Sequence, residues 1–77
     1  NPTNGPVKLS FGVEIDGMVS LSVYDLSGRL VTSLVSGEYK TGNYQVIWNT
    51  DFVSSGLYLV KLAVPNRSQT KKIAVLK

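Results

Sequence analysis

Apolar and polar side chains alternate one for one along most of this chain. Val7, Leu9, Phe11 and Val13 are interleaved with Lys8, Ser10, Gly12 and Glu14. A period of two puts one set on a core and the other in water, which predicts a β-strand. Val19, Leu21 and Val23 repeat the pattern against Ser20, Ser22 and Tyr24, and Tyr44, Val46 and Trp48 repeat it against Asn43, Gln45 and Ile47. Tyr58, Val60, Leu62 and Val64 mark a fourth clear strand. Residues 69–77 mark a terminal one, with Ile73 and Val75 on one face. Residues 29–35 are a shorter, less regular candidate. No segment carries apolar residues at the 3.6-residue period of a helix.

Turn chemistry separates these runs. Asp16-Gly17 reads as a hairpin turn, because both residues accept positive φ. Asp25-Leu26-Ser27-Gly28 reads as a tight turn with Gly28 at its left-handed position. Residues 36–42 are polar and glycine-bounded, which predicts a loop. Residues 49–56 predict another loop with room for one helical turn, and Pro65-Asn66-Arg67-Ser68 interrupts the fourth strand. Short strands punctuated in this way predict an all-β, immunoglobulin-like β-sandwich of about seven short antiparallel strands. Trp48 shares its phase with Tyr44 and Val46 and is expected at the centre of the core. The competing reading makes Trp48 an exposed platform for stacking a sugar, together with tyrosines.

Composition narrows the chemistry. A chain of 77 residues holds one hydrophobic core, so residues 1–77 form a single domain. With 0 Cys there is no disulfide and no thiolate metal site. With 0 His the usual general base and the commonest metal ligand are absent. The 5 carboxylates lie mostly in or beside turns, where Asp serves local hydrogen bonds. A calcium site built on Asp25 or Asp51 is conceivable, but the acidic spacing of an EF-hand is missing. No catalytic residues and no cofactor are expected. The formal charge of +3 comes from scattered basic residues, and the last ten residues, which alone are locally basic, carry no interleaved aromatics, which argues against nucleic acid. No apolar run is long enough to span a membrane.

Four segments carry a resemblance. Residues 19–29 read VSLSVYDLSGR, residues 42–48 read GNYQVIW, residues 55–58 read SGLY, and residues 69–77 read QTKKIAVLK. In this order they resemble the V-x-L-x-V-Y-D-x-x-G-R, G-x-x-x-V-x-W, S-G-x-Y and T-K-K-x-x-x-x-K motifs of type IX secretion C-terminal sorting domains. The family usually opens P-N-P-F-N-P, whereas Asn1-Pro2-Thr3-Asn4-Gly5-Pro6 lacks the Phe and begins inside that motif. The resemblance implies a C-terminal domain excised from a larger exported protein, passing the periplasm and ending at the cell surface or outside the cell. Its implied partners are the outer-membrane secretion machinery and an N-terminal cargo domain of the same chain. The sequence is also similar to the immunoglobulin-like domain of flagellar hook-cap proteins, which shares the Y-D-x-x-G turn. A scaffold or accessory domain, there or in a carbohydrate-active enzyme, is therefore the alternative.

Physical chemistry accounts for several matched positions. Gly28 and Gly56 are expected where tight turns need positive φ. Tyr24 and Tyr58 are expected to bury a ring while the hydroxyl reaches a backbone carbonyl at the sandwich edge. Lys71, Lys72 and Lys77 have no evident structural need. Lysine on a terminal edge strand discourages aggregation, and the same exposure suits a recognition strip for a translocon. Lys71, Lys72, Val75 and Lys77 are the candidate recognition residues.

Overall fold

The strands fall where the alternation places them. The structure, a computed structural model, describes residues 2, 3 and 5–77. Asn1 and Asn4 of the opening motif lie outside the described residues. Seven strands follow in order: β1 (Pro2–Thr3), β2 (Val7–Val13), β3 (Gly17–Asp25), β4 (Leu30–Tyr39), β5 (Gly42–Trp48), β6 (Gly56–Val64) and β7 (Arg67–Val75). One sheet has the order β1-β7-β6-β3-β4, and β2 pairs with β5 in a second, two-stranded sheet. All pairings are antiparallel except the short one of β1 with β7, where Pro2 lies opposite Ala74 and Thr3 opposite Val75.

The two sheets bury one phase of each alternation between them, as an immunoglobulin-like sandwich requires. Phe11 and Val13 from β2 meet Val19, Leu21 and Val23 from β3, and Val60 and Ile73 complete the floor. Trp48 is 2% exposed and meets the Tyr58 ring edge-on at 5.4 Å. The sugar-platform reading of Trp48 is thereby overturned, because a buried indole offers no face to a ligand.

Three local expectations change. Asp16-Gly17 does not close a hairpin: β2 and β3 belong to different sheets, and the chain crosses between them there. The Asp16 carboxylate instead accepts hydrogen bonds from the Thr41 backbone N–H at 2.7 Å and hydroxyl at 2.8 Å, tying the crossover to the β4–β5 turn. Gly17 is needed for space as well, since a Cβ there would come within 2.8 Å of Pro65 Cγ. Residues 36–39 are strand rather than loop. Their polar members Ser36 and Glu38 face water, while Tyr39 packs edge-on against Phe11 and Tyr44 and carries β4 onward. Residues 49–55 form a loop with no helical turn, pinned by buried Thr50, whose hydroxyl donates to the Gly5 carbonyl at 2.9 Å.

The Asp25 turn forms as expected. Gly28 sits at φ 92°, a conformation that glycine adopts without a Cβ clash. Gly56 also has positive φ, 157°, but opens β6 instead of closing a turn. Asp25 Oδ1 accepts from the Ser27 hydroxyl at 2.6 Å and from the Ser27 and Arg29 N–H groups at 3.0 Å each. These bonds, the Ser27 hydroxyl first, hold the carboxyl down at about 2, well below its ordinary value of 3.8. The folded state therefore keeps this proton off at pH values where the unfolded chain takes it up. Its stabilising contribution is complete above about pH 4 and disappears as pH falls towards 2. Thermal melts from pH 6 to pH 2 are expected to show the wild type converging on Asp25→Asn across that window. Parallel melting curves over the whole range would contradict this role.

Candidate recognition surface on the terminal strand

β7 lies between β6 and the short β1, and its alternation decides what each side chain does. Ile73 and Val75 point into the core, and Val75 is only 2% exposed. Val75 is therefore a packing residue, and the expectation that it belongs to an external recognition strip is corrected. Neighbouring residues of a strand face opposite sides, so Lys71 and Lys72 are exposed on different surfaces. Lys71 shares the inward phase of Ile73 and Val75 at the open flank of the sandwich. It borders a cleft there together with Lys8 and Leu9 of β2. Lys72 lies on the outer face.

Lys77 has a third role. Beyond the end of β7, its backbone N–H donates to Ser55 Oγ at 2.9 Å, and its ammonium donates to the Asp51 carbonyl at 2.7 Å. It thus fastens the chain to the 49–55 loop. The expectation that Lys77 lacks a structural need is corrected accordingly. The three lysines do not form one strip.

The outer face acquires a lysine that sequence reasoning passed over. Tyr24 of β3, Leu59 of β6 and Lys72 of β7 stand in one cross-strand row, and Ser22, Lys61 and Thr70 stand in the next. The Lys61 ammonium sits 4.7 Å from the centre of the Tyr24 ring. Tyr24 is consequently a half-buried outer-face residue under a cation and does not belong to the core edge, which corrects the expectation for its ring. The signal was available: Lys61 occupies the outward phase of β6, between inward-facing Val60 and Leu62. Tyr58 does behave as expected, donating to the Ser54 carbonyl at 2.5 Å, and Tyr44 makes the equivalent bond to Lys40 at 2.6 Å.

The single ion pair among the described residues joins Arg29 to Asp25, so Lys61 and Lys72 have no carboxylate partner. A family model described as the secretion system C-terminal sorting domain matches residues 1–76. The chain belongs to this family. No curated protein and no solved structure gives a match.

A sorting role in type IX secretion follows from membership, and the structure separates the fold-making motif positions from the rest. In this sorting domain the Y-D-x-x-G-R segment builds β3 and the Asp25 turn. The segment ending in Trp48 fills the core, and S-G-x-Y opens β6 and sets Tyr58 against Trp48. Lys77 fastens the chain beyond β7 to the 49–55 loop. Lys72 alone among the matched lysines stands on an outer face with neither a hydrogen bond nor an ion pair among the described residues. No helix among those residues is long and apolar enough to cross a membrane.

Proposed function

We propose that this chain is a non-catalytic sorting module, attached behind a cargo domain, whose folded outer face is captured by the outer-membrane secretion machinery. The observation that carries the reading is the pair of ammonium groups without a carboxylate partner, Lys61 and Lys72, held on adjacent cross-strand rows of one sheet. Packing and local hydrogen bonds explain most of the motif positions, and these two charges are free to meet an acidic surface. The absence of His and Cys from the sequence supports a binding role over a catalytic one. Cargo and sorting domain fold in the periplasm and are delivered to the cell surface or beyond. The matching experiment fuses a reporter ahead of Asn1 in a bacterium with a type IX system and separates surface from periplasmic fractions. Surface delivery is expected with the domain and periplasmic retention without it. Equal distribution of the two fusions would overturn the reading.

A further inference from the structure

The sandwich is open along one flank. β2 pairs with β5 on one side only, and no described strand lies along its other edge. β7 is covered by β1 only at Ala74 and Val75, so Arg67 to Ile73 also present a strand edge without a described partner. Between these two edges lies a cleft of about 320 Å³. Its floor is Leu21, Val60 and Leu62, apolar side chains of the larger sheet. Its rims carry Lys8 and Ser10 from β2, and Gln69 and Lys71 from β7. No carboxylate lines it.

We infer that this seam is a docking site for an extended acidic peptide, which adds a third strand to the β2 edge. The backbone groups of an unpaired strand edge form a template for another chain and give affinity independent of sequence. Alternation then sets the side-chain requirement. One phase of the incoming strand turns toward Leu21, Val60 and Leu62 and is apolar. The other phase lies beside Lys8 and Ser10, which face outward from β2, and is acidic. Lys71, on the opposite rim, adds a second positive charge to the same groove. A second copy of the chain fits poorly, because it carries a formal charge of +3 and brings its own Lys8 to the edge. Four residues of β2, Lys8 to Phe11, border the cleft, a length of roughly 13 Å that matches four to five residues of an extended partner.

The test is a titration of the 77-residue chain with an acetylated heptapeptide that alternates Glu and Val, followed by amide chemical shifts. Saturable shifts are expected at residues 8–11 and 69–71, with binding that weakens as salt rises. A peptide with Lys in place of Glu is expected to bind at least tenfold more weakly. The double variant Lys8→Glu with Lys71→Glu should lose at least tenfold for the Glu peptide and favour the Lys peptide. Both residues are exposed, and dispersed amide shifts will confirm that the variant folds; if it does not, the comparison of the two peptides on the wild type decides alone. Shifts confined to the Lys61–Lys72 face, equal binding of the two peptides, no saturation at millimolar peptide, or concentration-dependent self-association through the seam would each overturn the inference.

Discussion

Replacing Trp48 with alanine is expected to remove most of the stability of this domain. Trp48 is among the largest fully buried side chains, and its ring meets Tyr58 from the facing sheet. Truncating a buried Trp costs about 3–5 kcal/mol, from lost burial and from the cavity that remains. A chain of this length has a total stability of roughly 4–12 kcal/mol. No disulfide stands behind it, since the sequence holds 0 Cys. Urea unfolding followed by far-ultraviolet circular dichroism should therefore move from a clear native baseline in the wild type to a chain partly or largely unfolded in Trp48→Ala. The indole emission of the wild type is expected to be blue-shifted and to move red on unfolding. A variant whose midpoint falls by less than the equivalent of about 1 kcal/mol would show that the two sheets do not depend on this contact.

The strands with clean alternation were legible because each turns one phase toward the core. Val7–Val13, Gly42–Trp48 and Gly56–Val64 all contain the runs that the sequence pattern marks. Periodicity failed where the partner mattered more than the pattern. Asp16-Gly17 has the residues of a hairpin turn, yet its carboxylate bonds to Thr41, 25 residues away, and local turn chemistry carries no trace of that. Ser36 and Glu38 read as loop because their strand is polar on its outer side, whereas their pairing with Ser20 and Met18 and the packing of Tyr39 on Phe11 and Tyr44 extend β4. The same blindness affected the surface. Consecutive lysines looked like one strip in the sequence, although a strand sends Lys71 and Lys72 to opposite sides. The outward phase of Lys61 is readable in the β6 alternation, but its place one row from Lys72 comes from the register of β6 with β7.

That register yields a separable functional test. Changing Lys61 and Lys72 together to Gln is expected to leave the fold intact and to hold a fused cargo in the periplasm. The structural cost is small: the cation over the Tyr24 ring contributes about 0.5–1 kcal/mol, and an exposed lysine without partners contributes within about ±0.5 kcal/mol. The functional cost is larger if an acidic receptor reads both charges. Losing them should weaken capture by about tenfold or more, the equivalent of about 1.4 kcal/mol in binding. Lys77→Gln is the informative contrast. It breaks the bond from the ammonium to the Asp51 carbonyl and loosens the end of the chain, but it leaves the outer face untouched. Surface delivery of a reporter should therefore persist in Lys77→Gln and fall in the Lys61, Lys72 double variant, while circular dichroism shows both folded. Normal delivery by the double variant would remove these two lysines from recognition. Loss of delivery in Lys77→Gln alone would shift the recognised surface to the 49–55 loop and the chain end, where Phe52 stands 95% exposed beside the Lys77 clamp.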